Sequence, residues 1–174
     1  MTSEKSGQDA RTRAAAMIRL AGIGLTDDEA ARIEVTGLGL GHREIEGIQI
    51  ATMVSTERLA FKAIALFAGQ TMPEHRHPAV GDDPGKEETI RVLSGECRLY
   101  VPGEDTLSAG RIPAGKEDVY TARDETVMRP GEQLTLSPGT WHWFQPGDEG
   151  TVVLSISTTA RDALDEFTDP AVVR

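Results

Sequence analysis

The chain has 174 residues, 18 basic and 28 acidic, for a net charge of −10. That length fits one domain, and an acidic balance without any basic run excludes nucleic acid as a partner, because phosphates need a positive face. Hydrophobic residues make up 39% with no apolar run near the ~20 residues that cross a bilayer. A single cysteine (Cys97) and a polar start without a signal-peptide core complete the reading of a soluble, cytoplasmic protein with no membrane partner.

Residues 1–10 are small and polar without periodicity, and read as a disordered tail. One domain over 11–174 follows. Its first part, 11–34, is helical: Ala14, Ala15, Met17, Ile18, Leu20 and Ala21 recur every three to four positions. Gly22 and Gly24 interrupt the pattern. Thr26 then stands as an N-cap with Glu29 as its capping-box partner, opening a short helix over Asp27–Ile33.

From about 35 to 158 the texture is that of a β-barrel. Expected strands are Gly47–Ser55, Leu59–Phe67, Thr89–Leu93, Cys97–Val101, Val119–Val127, Gln133–Leu136, His142–Gln145 and Thr151–Ser157. Gly and Pro turn signals separate them, among them Ser94-Gly95 and Pro146-Gly147. The class is all-β. Residues 159–174 form an acidic tail that packs over the barrel.

The chain has four histidines, His42, His75, His77 and His142. His75 and His77 are two apart, and on a strand such residues share a face, with Glu74 and Arg76 on the other. The wider spacing is Gly69-x5-His75-x-His77, then Glu88-x6-Gly95, then Gly131-x7-Gly139-x2-His142. It resembles the two metal-binding motifs of the cupin superfamily, a double-sheet jelly-roll β-barrel. The resemblance implies that His75, His77, Glu88 and His142 bind one divalent metal inside the barrel. Such mixed nitrogen and oxygen donors suit Mn, Fe, Co, Ni or Zn. The ten residues between His77 and Glu88 exceed the usual gap, and 79–85 can loop out to absorb the excess. His42, among glycines, reads as an exposed loop residue.

Longer stretches carry a closer likeness. Pro73-Glu-His-Arg-His-Pro78, Gly85-Lys-Glu-Glu-Thr89, Tyr100-Val-Pro-Gly-Glu104, Tyr120-Thr121, His142-Trp-Phe-Gln145 and Phe167-Thr-Asp-Pro170 resemble the cupin-type D-lyxose isomerases. The resemblance implies an aldose–ketose isomerase, with manganese as the metal, that converts D-lyxose to D-xylulose and also takes D-mannose to D-fructose. It further implies a homodimer. Lys86, two before Glu88, is in phase with that residue and is the catalytic candidate. Phe144, in phase with His142, walls the site. Tyr120 either hydrogen-bonds a sugar hydroxyl, as a substrate-binding residue, or packs as a core tyrosine. One departure stands out: Ser155 occupies a strand position where family members carry a glutamate suited to proton transfer. Glu117, Asp124 and Asp162 are the carboxylates that can replace it. The alternative is a non-catalytic or differently specific sugar-binding metal cupin.

Overall fold

The computed structural model describes the backbone from Thr2 to Arg174 and side chains from Ser6 onward; Met1 lies outside the described residues. Helix α1 runs over Thr2–Leu20, so the expected disordered tail is helical from residue 2. The missed signal is small residues. Ala10, Ala14 and Ile18 make one buried stripe at four-residue spacing, and Ala10 carries too little hydrophobicity to show in a periodicity count. Arg43 also holds the first turns, donating to the Ser6 carbonyl and hydroxyl. Helix α2, Asp27–Ala31, begins at the expected capping box: Glu29 N donates to Thr26 Oγ1, and Thr26 N donates to Glu29 Oε2 at 2.8 Å.

Nine antiparallel strands follow: β1 Glu34–Thr36, β2 Ile48–Ser55, β3 Ala60–Leu66, β4 Met72–Arg76, β5 Glu88–Val101, β6 Asp124–Met128, β7 Gln133–Leu136, β8 His142–Ser157 and β9 Glu166–Phe167. They curl in the order β1-β2-β3-β8-β4-β9, with β5 joining β6, β7 and β8. This is the expected jelly-roll barrel of cupin type. Its inner face holds Ile48, Ile50, Ile64, Leu66, Phe144 and Val153. The outer face of β2, β3 and β8 carries Ala51, Ala63, Ala65, Val152 and Leu154 against Ala14, Ala15 and Ile18 of α1. Alanines on both surfaces let the helix lie close to the sheet. Each fully buried Ile or Leu there contributes about 1.5–3 kcal/mol.

Two expected strand breaks are not breaks. Cys97–Val101 continues Thr89–Leu93 within β5, and Thr151–Ser157 continues His142–Gln145 within β8. The register between β5 and β8 slips at Val92/Ser94 and again at Gly95/Cys97. Gly95 (φ 73°) turns there without a side chain, and a Cβ would run into the Gly150 carbonyl. The turn residues therefore bend two long strands through bulges. The expected Val119–Val127 strand begins only at Asp124. Before it, Val119 N and Tyr120 N both donate to Lys116 O, which makes a turn. Among the described residues no helix is long and apolar enough to cross a membrane.

Candidate functional site

Three strand ends bring the histidines together. In the β4–β8 register His75 lies directly opposite His142, with ring centroids 4.2 Å apart. His77, just past β4, keeps the same inward phase, and its ring is 5.0 Å from that of His75. One ring nitrogen from each of His75, His77 and His142 lies within 4.8 Å of the others, and all three residues are buried. Glu88 opens β5 beside them. Its Oε2 is 2.9 Å from His77 Nε2 and 3.9 Å from His142 Nε2, and Lys86 Nζ is 2.9 Å from the same oxygen. Ser155 donates its hydroxyl to Glu88 Oε1.

The second nitrogen of each ring defines what the first can do. His75 Nδ1 is 2.8 Å from Pro73 O, and His142 Nδ1 is 2.9 Å from Thr140 O. A carbonyl oxygen only accepts, so both protons sit on Nδ1 and both Nε2 atoms carry a lone pair. His77 Nδ1 is 2.6 Å from Asp165 Oδ1. His142 Nε2 is buried and has no hydrogen-bond partner among the described residues, an uncommon state for a buried polar atom and one that suits a cation ligand. Burial, together with the neighbouring imidazoles, holds His75 well below its ordinary value. Burial likewise takes His142 down to about 4. Burial opposes charge on His77 too, but its bonds to Asp165 and Glu88 prevail and raise it. Glu88 is desolvated, yet the Lys86 charge and the His77 bond hold it well below the carboxylate range. At neutral pH the cluster thus offers two neutral imidazoles and an ionised carboxylate, with a third imidazole whose bonds to Asp165 and Glu88 favour its charged form. That donor set fits a divalent transition metal.

The pocket above the cluster is lined by Ile50, Met72 and Phe144 on its apolar side and by Lys62, Lys86, Ser155, Asp162, Asp165 and Arg174 on its polar side. Its free space is about 30 Å³, room for little more than water, because Lys62 and Arg174 close on Asp162. A larger cavity of about 250 Å³ lies elsewhere, among Gly69–Thr71, Arg111–Pro113 and Gln145–Asp148. It contains no histidine, so chemistry rather than size marks the site.

Phe144 and Lys86 stand at the pocket as the sequence led one to expect. Tyr120 does not, and its substrate-binding assignment is corrected. The turn at Lys116–Tyr120 carries it to the outside of the barrel, where it is buried against Trp143 and donates to Glu46 Oε1 at 2.6 Å. Glu74 faces away from the cluster, and it is buried: it accepts from Thr121 N, Thr121 Oγ1 and Ala122 N. Of the three carboxylates considered for proton transfer, Asp162 lines the pocket, and Glu117 and Asp124 do not. His42 lies apart, with Nδ1 3.6 Å from Glu46 Oε2. Sequence reasoning missed Lys62 and Arg174 as pocket residues, and it placed Asp165 in a solvated, charged tail although that tail could reach the barrel mouth. Lys62 had a readable signal, a lone lysine inside the apolar strand Ala60–Leu66; Arg174 had none.

The family model described as D-lyxose isomerase matches residues 7–174. The D-lyxose ketol-isomerase of Cohnella laeviribosi is 49% identical over 168 residues, spanning 96% of this chain and 92% of that protein. The D-lyxose/D-mannose isomerase of Thermosediminibacter oceani is 46% identical over 158 residues, spanning 90% and 87%. Among solved structures, the L-ribose isomerase of Acinetobacter sp. DL28 in complex with L-ribose has a TM-score of 0.80 at 15% identity, covering 97% of this chain and 93% of that one. At that identity the likeness speaks for the fold.

Proposed function

The chain belongs to the D-lyxose isomerase family, a family of aldose–ketose isomerases, and on that premise we propose that it interconverts D-lyxose and D-xylulose through an enediol, with D-mannose and D-fructose as a second pair. His75, His77, Glu88 and His142 would hold the divalent metal, with manganese the first candidate. The observation that carries this reading is the set of three buried imidazoles, each tied through Nδ1 so that Nε2 is aimed inward. Once bound, the metal would supply a Lewis acid to offset the negative charge that develops on the sugar oxygens.

The remaining steps fall to the side chains. A proton leaves C2, its electron pair becomes the C1–C2 double bond, and the C1 oxygen gains a proton. Return of a proton to C1 and loss of the O2 proton complete the ketose. Lys86, a buried ammonium beside Glu88, donates to a substrate oxygen as negative charge gathers there. Asp162 is the carboxylate for the carbon-bound proton. Its Oδ2 pairs with Lys62 and Arg174, which leaves Oδ1 to accept. Phe144 gives the sugar an apolar wall and keeps water from the enediol. Sugar entry must part Lys62 and Arg174 from the pocket mouth, given the small free space there. Ser155 has no part in proton transfer, since its hydroxyl is engaged with Glu88.

The test is direct. Protein loaded with Mn²⁺ is incubated with D-lyxose in D₂O, and the products are read by NMR. D-Xylulose with deuterium at C1 supports the reading. A protein that holds metal but forms no ketose from D-lyxose or D-mannose overturns it. We also propose that the protein is a soluble, cytoplasmic homodimer. Sedimentation as a monomer at micromolar concentration would remove the dimer.

A further inference from the structure

His77 differs from its two partners in how it is held. His75 and His142 donate through Nδ1 to a carbonyl two residues back on their own segment. Those bonds form as soon as the local backbone does. His77 instead relies on Asp165, 88 residues away in the chain. The Asp165 carboxylate is only 8% exposed. It stands between the 3-10 turn Asp162–Leu164 and β9.

That whole segment is strapped across the barrel mouth. β9 pairs with β4, setting Phe167 opposite His75 and Glu166 opposite Arg76. Thr168 N donates to Glu74 O, and Val173 N donates to Leu38 O. Asp169 pairs with Lys116.

We propose that Asp165 is a positioning residue for the cation site: it fixes the His77 ring with Nδ1–H outward and Nε2 inward, and so makes the C-terminal strap part of metal binding. The proposal rests on the reading above that the histidine cluster holds a divalent metal. Without the carboxylate, Nδ1 becomes a buried donor with no acceptor. The neutral ring then keeps its proton on Nε2, where Glu88 Oε2 at 2.9 Å accepts it. That is the tautomer that cannot ligate from Nε2. Loss of such an outer partner typically weakens metal binding about 10–100-fold.

The test uses the full chain and Mn²⁺ alone. Free Mn²⁺ is titrated by EPR against the wild type, Asp165→Ala, Asp165→Asn and Glu166→Ala. Asp165→Ala should weaken binding about 10–100-fold. Asp165→Asn, which keeps a carbonyl acceptor, should recover much of that loss. Glu166→Ala cuts the neighbouring strap contact to Arg76 and should leave affinity within about twofold of the wild type, since exposed pairs contribute little. In the metal-free proteins, at a pH high enough to make the ring neutral, ¹⁵N–¹H NMR of the imidazoles should find the one His77 proton on Nδ1, toward Asp165, in the wild type and Asp165→Asn, and on Nε2, toward Glu88, in Asp165→Ala. Should Asp165→Ala fail to fold, Asp165→Asn and Asp165→Leu carry the same comparison. Equal Mn²⁺ affinity in all Asp165 variants overturns the proposal, as does a loss in Glu166→Ala as large as that in Asp165→Ala. A wild-type chain that takes up no divalent metal is a separate outcome. It sinks the metal reading on which the proposal rests, and the His77 tautomer shift alone would then describe a structural bond.

Discussion

Ser155 donates its hydroxyl to Oε1 of Glu88, across the β5–β8 pairing that sets Ile90 opposite Ser155. With His77 and Lys86 on Oε2, both oxygens of a carboxylate that is 4% exposed are engaged. Replacing Ser155 by Ala leaves Oε1 buried without that donor. We expect a loss of about 1–3 kcal/mol in stability, read from urea unfolding of the metal-free protein, with isomerase turnover reduced but measurable. Complete loss of turnover in a folded Ser155→Ala protein would mean that the serine touches the reaction itself.

His77→Ala removes one of three clustered imidazoles and should abolish bound Mn²⁺ and activity while the far-ultraviolet circular dichroism stays that of the parent. His42 lies outside the cluster, and His42→Ala should do neither. Metal analysis of the two purified variants checks this, and the reverse pattern would refute the proposed ligand set.

Burial takes His142 down to about 4 from an ordinary 6.5. The sign follows from linkage. Between those values the unfolded chain binds a proton that the folded chain refuses, so stability falls as pH drops from about 6.5 to about 4. The span corresponds to about 3 kcal/mol from this one group, and His75 acts in the same direction. His77, held above its ordinary value, acts in the opposite direction, so the slope of stability between pH 7 and 4 is read by chemical denaturation of the metal-free wild type against His142→Gln. His142→Gln should flatten it.

Gly95 sits at φ 73° where β5 crosses β8. Gly95→Ala combines a left-handed backbone with a Cβ driven into the Gly150 carbonyl. The expected cost is more than about 2 kcal/mol, seen as a lowered thermal midpoint or insoluble expression. Gly131 also has a positive φ but has open space around a Cβ, so Gly131→Ala should cost less. Equal midpoints would remove the argument.

Parts of the molecule are legible because their rules are local. The Thr26–Glu29 capping box closes over three residues. The inward phase shared by His75 and His77 follows from the two-residue period of a strand. β7 falls where a short alternating run stands between turn signals. Other parts resist reading for identifiable reasons. The first turns of α1 are polar up to Ala10, a small residue whose packing value depends on contacts that exist only after folding. Gly95 and Gly147 look like strand ends, because a bulge and a turn use the same residue. Tyr120 has the alternation of a strand residue, and the backbone of Lys116–Tyr120 turns instead.

The sequence by itself determined the chemical inventory: which residues can ligate a cation, that they recur with motif spacing, and that the chain is β-rich behind a helical start. Tertiary structure decided which carboxylates serve that inventory. Asp165 reaches His77 and Asp162 reaches Lys62 only because β9 pairs with β4, while Glu117 and Asp124, equally acidic in the sequence, fold away from the pocket. The physical reason is that side-chain type and strand period are properties of neighbours in the chain, whereas strand pairing, register and bulges bring together residues some 90 positions apart, and a one-residue slip in that register sends a side chain to the opposite face.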